Sequence, residues 1–239
     1  MRILVLITTL KNDSLERHML KELEEMNHEI GVDYTVASLP WGPSSVESEF
    51  DERMASPFVL ARVVQAEKEG YDAVFISCTD DVALSAAREV TKIPIVAPLE
   101  VCMHVASTLG RRFSILSVVE NEASVFYRRA REYGLEGRLA SVRSIDVPVL
   151  ELDSRRMEVT NALLAQGKLA KEKDGADTLI LGCTGMTGIA AKLQGKLQMP
   201  VIDPVSVSLG YVQLLVTTGL SHSKLAYPFP PKKRRRMPY

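Results

Sequence analysis

The amino-acid sequence predicts an α/β fold: two similar parallel-sheet lobes related by a pseudo-twofold repeat, with the candidate site in the cleft between them. Three observations predict it. Apolar, β-branched runs alternate with helical segments along the chain, the pattern of a parallel α/β fold. The runs are continuously apolar rather than alternating, as in strands covered on both faces. One strand-and-turn pattern occurs twice.

Residues 2–8 read RILVLIT, a buried strand. Asp13 or Ser14 can cap a helix that runs to about residue 30 and stops at Gly31. Residues 34–39 form a second strand. Pro40, Trp41, Gly42, Pro43 and the serines after them make a long loop, of the kind that often serves as a lid or binding loop. Trp41 is its aromatic, placed either over the site or in packing. Pro57 suits the first turn of the next helix, which stops near Gly70. Strands follow at 73–77, 93–97, 113–118, 140–145, 178–181 and 201–203. Helices occupy 81–90, 122–133, 155–173, 187–197 and 205–218.

The 239 residues, 46% hydrophobic and 25% charged, are an ordinary globular composition with room for a sizeable core. A net charge of -1 offers no field for nucleic acid or a membrane surface. No apolar run approaches the ~18 residues of a membrane span. The first ten residues are apolar but soon followed by charge, a strand rather than a signal peptide. Three well-separated cysteines suit reduced thiols and a cytoplasmic location. The run KKRRR at 232–236 reads as a solvated tail rather than a nucleic-acid patch. His18, His28, His104 and His222 lack metal-ligand spacing, so no metal is expected, and His222 is expected at the surface, with an approach to the first lobe as the alternative. The glycines at 182, 185 and 188 do not have a phosphate-loop spacing.

The duplication places the chemistry. Residues 71–81 read YDAVFISCTDD, and residues 176–186 read ADTLILGCTGM. Each is a strand ending in Cys-Thr, and each is followed after a helix by a matching segment, IPIVAP or MPVIDP. The repeat divides the chain into one lobe of residues 1–98 plus 205–239 and another of residues 99–204. Ligands of open α/β sheets bind beyond the carboxyl ends of strands. Two facing lobes would therefore set Cys78 and Cys183 on opposite walls of one cleft.

Inverting a carbon acid needs a base on one face and an acid on the other, and a thiolate and a thiol can exchange those roles. Cys78 and Cys183 are the candidate catalytic pair. A helix start after each would favour the thiolate. The amides of Thr79, Asp80, Thr184 and Gly185 are candidates for holding enolate oxygens. Asp80 and Asp81 would oppose a thiolate at Cys78, which assigns the resting thiolate to Cys183. Cys102, in the apolar helical stretch VCMHVA, reads as core.

At these residues the chain resembles the aspartate/glutamate/hydantoin racemase superfamily, and most of all its hydantoin racemase branch, which includes allantoin racemases. SCTDDVALSAARE at 77–89 and GCTGM at 182–186 resemble the branch's two cysteine motifs. GLEGRLASVRSIDVPVLEL at 134–152 and GLSHSKLAYPFPPK at 219–232 extend the likeness over most of the chain. The resemblance implies a two-lobed fold, no cofactor, a small-molecule substrate, a homo-oligomer, and proton transfer by Cys78 and Cys183. It also implies that Thr79, Ser117, Thr184 and Gly185 line the pocket. The branch's usual Asn-Pro-Asn-Thr after the first strand is replaced by Thr8, Thr9, Leu10, Lys11 and Asn12, and its Gly and Pro in the first cysteine motif by Asp80 and Val82. Thr8 thus enters the substrate-binding set with Asp80, and the substrate stays open. Other readings also stay open: a decarboxylase or cis–trans isomerase on this scaffold, or a small-molecule-binding protein with inert thiols.

Overall fold

The computed structural model describes residues 1–26 and 31–235. Two four-stranded parallel sheets form the frame, as the strand pattern predicts. The first contains β1 (Arg2–Leu10), β2 (Asp33–Leu39), β3 (Ala73–Ser77) and β4 (Ile95–Val96), in the order β2-β1-β3-β4. The second contains β5 (Phe113–Ser117), β6 (Leu139–Ser144), β7 (Thr178–Leu181) and β8 (Val201–Ile202), in the equivalent order β6-β5-β7-β8. Every residue of β3, β5 and β7 is buried, which is why these strands read as unbroken apolar runs.

The helices are α1 (Asp13–Met26), α2 (Glu49–Lys68), α3 (Leu84–Val90), α4 (Pro98–Leu109), α5 (Ala123–Glu132), α6 (Arg156–Lys173), α7 (Ala190–Leu197) and α8 (Pro204–Thr217). The predicted end of α1 near residue 30 lies outside the described residues. The last helix returns to the first sheet: Val205, Leu209, Val212 and Leu215 pack with Ile3, Val5 and Phe75. Between the sheets, α4 gives Val101 to that cluster and Leu99, Cys102, Met103 and Ala106 to the core around Phe113 and Ile180. Cys102 is fully buried.

Three helix starts differ from the sequence expectation. Pro57 lies well inside α2 rather than in its first turn. Ser48 is the N-cap, with Glu49, Asp51 and Glu52 in the first turn, and this capping signal outweighs the ring of Pro57. After Cys78 the chain turns through left-handed Asp81 (φ 51°) and Ala83 (φ 54°), so α3 begins only at Leu84. After Cys183 a 3-10 turn spans Thr184–Met186, and α7 begins at Ala190.

Beyond α8 the chain straps across β4. Ser221 donates its hydroxyl to the Lys92 carbonyl, and the Ile95 amide donates to His222 Nε2 at 2.9 Å. Lys224 reaches the Arg88 carbonyl, and Arg88, itself paired with Glu100, donates to the Tyr227 hydroxyl. His222 is thus a partly buried acceptor, not the surface residue expected. Burial holds its ring well below its usual value, at about 4, so it accepts as a neutral base.

Candidate active site

A cavity of about 850 Å³, its open mouth included, lies between the carboxyl ends of the two sheets. Cys78 and Cys183 both line it, one from each sheet. Two hydroxyls hold the lobes in this relation. Thr79 Oγ1 donates to the Gly182 carbonyl at 2.6 Å, and Thr184 Oγ1 donates to the Ser77 carbonyl at 3.4 Å. Each threonine after a cysteine thereby grips the residue before the opposite cysteine.

Each cysteine turn is further tied to the helix after the next strand. Asp81 accepts the amides of Leu99 (2.9 Å) and Glu100 (2.8 Å) at the start of α4, and the Tyr133 hydroxyl at 2.6 Å. These bonds hold the left-handed backbone there, a conformation costing about 1–3 kcal/mol per residue when unsupported. Arg129 clamps the same turn by donating to the Asp80 carbonyl at 2.8 and 3.1 Å. In the second lobe Asp203 caps α8 through Val205 and Ser206 and also accepts Thr187 Oγ1 and the Gly188 amide. One carboxylate thus does the same work in each lobe, buried in the first and half-buried in the second, from opposite ends of the connection.

Thr8, Thr79, Thr184 and Gly185 line the cavity, as do Thr9 near the end of β1 and Asn12 just after it. Asp80 and Ser117 do not. Asp80 is buried behind Cys78, and Ser117 is buried beneath the wall, donating to Glu122 Oε2 at 2.7 Å. Sequence reasoning missed Glu122 and His18, which line the cavity, and Val149, Leu150 and Leu152, which share its rim with Ser44 and Val46 of the loop read as a lid or binding loop. Trp41, by contrast, is 65% exposed and is not among the residues lining this cavity. At the rim Glu47 accepts the Val149 amide at 2.7 Å, joining the long loop of the first lobe to the second.

The electrostatics correct two expectations. No α-helix starts at either cysteine, and both thiols lie above their usual range. Burial pushes Cys183 up to about 12 and Cys78 well above its ordinary value. Asp80 is the leading charge opposing ionisation at Cys78, as its position suggested, but Glu122 plays that part at Cys183. The assignment of a resting thiolate to Cys183 therefore loses its helix dipole and keeps the opposition of Asp80 at Cys78, which Glu122 counterbalances at Cys183. The amides expected to hold enolate oxygens serve the sulfurs in part. The Gly185 amide donates to Cys183 Sγ at 3.4 Å, and the Asp80 amide and Thr8 hydroxyl support Cys78.

Residues 4–212 match the family model of the Asp/Glu/hydantoin racemases. The chain belongs to that family. It is 37% identical to the hydantoin racemase of Rhizobium meliloti over 189 residues, 78% of each chain. Its fold superposes on the allantoin racemase of Pseudomonas fluorescens with a TM-score of 0.93, at 28% identity, covering 99% of this chain and all of that one. The allantoin racemase of Klebsiella pneumoniae gives 0.92 at 28% identity, covering 98% and 96%. This protein is accordingly a racemase of the isomerase class. No helix among the described residues of the racemase is long and apolar enough to cross a membrane.

Proposed function

We propose that this racemase works without a cofactor by a two-cysteine proton transfer, and that its substrate is a neutral, hydantoin-like ring. The carrying observation is the pair Cys78 and Cys183 at the ends of two facing sheets in one cavity. One sulfur, as thiolate, removes the proton from the chiral carbon. The planar enolate that remains takes a proton from the other thiol on the opposite face, which inverts the centre. Donors already aimed at each sulfur support the thiolate as it forms.

The substrate class follows from what borders the ring. Among the described residues no Lys or Arg side chain lines the cavity, while Glu122 and Asp153 do. A free amino-acid carboxylate would find no basic side chain there to offset its charge. A hydantoin-like ring is uncharged, and its carbonyl beside the chiral carbon stores the carbanion charge on oxygen. The likeness to hydantoin and allantoin racemases supports the same class.

The test is deuterium exchange at the chiral carbon, followed by NMR and polarimetry in D2O. Single enantiomers of allantoin, 5-substituted hydantoins, aspartate and glutamate form the panel. Exchange with loss of optical activity is expected for the rings and not for the amino acids. Cys78→Ser and Cys183→Ser should each lower racemisation by about 10²–10⁴-fold. Full racemisation in either variant would overturn the two-cysteine reading, and turnover confined to the amino acids would overturn the substrate class.

A further inference from the structure

The two sulfurs sit in equivalent places but not in equivalent surroundings. At the end of β1 the Thr8 hydroxyl supports Cys78 directly. At the equivalent end of β5 the Ser117 hydroxyl supports a carboxyl instead, donating to Glu122 Oε2. Glu122 is 3% exposed, lines the same cavity as Cys183, and is the leading charge opposing a thiolate there. The charged groups facing Glu122 are Asp80, from the turn after β3, and Glu47, from the rim loop, both acidic. Asp80 by contrast has Arg129 and Arg128 nearby.

We propose that Glu122 is a positioning residue that sets the charge of Cys183: the pair holds a single negative charge, so Glu122 keeps its proton whenever Cys183 is a thiolate. This rests on the reading that Cys183 ionises during turnover. When the Cys183 thiol gives its proton to the carbanion, the new thiolate faces a neutral carboxylic acid rather than a carboxylate. In the reverse direction the thiolate takes the substrate proton and Glu122 is unchanged, so no proton is gained or lost at the carboxyl over a cycle. Burial, with Asp80 and Glu47 adding to it, raises Glu122 to about 8, so the acid form prevails at neutral pH. Two groups coupled this strongly titrate as a pair.

Alkylation of Cys183 by iodoacetamide tests this without any substrate. Cys78→Ser leaves Cys183 as the one cavity thiol, since Cys102 is fully buried. In Cys78→Ser the rate should rise about tenfold per pH unit and then flatten above a bend near pH 8, as the Glu122 carboxylate begins to oppose the thiolate. In Cys78→Ser with Glu122→Gln the two rates should coincide at pH 7 while the bend disappears, leaving the double variant ~30-fold faster by pH 9.5. A merely structural role would shift the whole profile or lower Tm and leave the bend. Parallel profiles, or no bend in Cys78→Ser itself, would overturn the proposal, and the second outcome requires no substitution of Glu122. Because racemisation is not measured, failure of the two-cysteine reading would register in the exchange assay and leave this result standing.

Discussion

Thr79→Val removes one hydroxyl and almost no volume, and so isolates the bond that joins the lobes. That bond is short, 2.6 Å, and buried at both ends, with Thr79 only 6% exposed. Losing it takes a donor from the buried Gly182 carbonyl, which costs about 1–3 kcal/mol. For a chain of this size Tm moves about 2–4 °C per kcal/mol, so a fall of roughly 2–12 °C is expected. The reciprocal bond from Thr184 is 3.4 Å long, near the limit of a hydrogen bond. Thr184→Val should therefore cost ~0.5 kcal/mol or less and shift Tm by no more than about 2 °C. The hydroxyls also fix how the sulfur-bearing turns face each other, and a misplacement near 1 Å can cost ~100-fold in rate. Thr79→Val should then lose about tenfold or more in kcat, against a small change for Thr184→Val. Thermal unfolding followed by circular dichroism and racemisation kinetics of the two variants provide the comparison. Equal effects, or a larger effect from Thr184→Val, would refute the view that bond length and burial rank these contacts.

Two further perturbations follow. In Gly182→Ala the new Cβ would lie 2.8 Å from the Leu116 carbonyl oxygen and 3.1 Å from Ser117 Cα, backbone atoms that cannot swing away. We expect a loss of about 1–3 kcal/mol in a thermal or urea unfolding curve; a variant as stable as the parent would show that β5 and β7 separate easily. The second concerns pH. Glu122 has a native value near 8, above its ordinary 4.5, so the folded state binds the extra proton between these limits. Its contribution to stability is complete below about pH 4.5 and is lost as pH rises through about 8. Glu122→Gln should make the decline of Tm from pH 5 to pH 8.5 shallower, measured at constant ionic strength, and an unchanged or steeper decline would contradict the buried-acid assignment.

The frame was legible in the sequence because both its signals are local: unbroken apolar runs for strands covered on both faces, and a repeated Cys-Thr at their ends. What escaped depends on contacts between distant segments. Asp81 and Ala83 adopt a left-handed backbone because α4 and Tyr133 hold Asp81, and nothing near residue 81 announces this. Glu122 follows β5 where an exposed acid at a helix start would be ordinary, and only the folded chain shows it buried at the cavity lining. Asp80 and Ser117 were expected at the substrate, yet each lies buried behind the wall. Pro57 misled because proline favours a first turn, while Ser48 and three acids set the true one.

The strap after α8 bears on how this molecule behaves in a crowded solution. β4 is an edge strand, and an edge amide left open is a template for pairing with another chain. His222 occupies the outward amide of Ile95, while Ser221 and Lys224 take up the Lys92 and Arg88 carbonyls on the approach to the strand. The strap thus seals this sheet margin with side chains in place of a fifth strand, and the Ile95 amide is no longer open to an added strand.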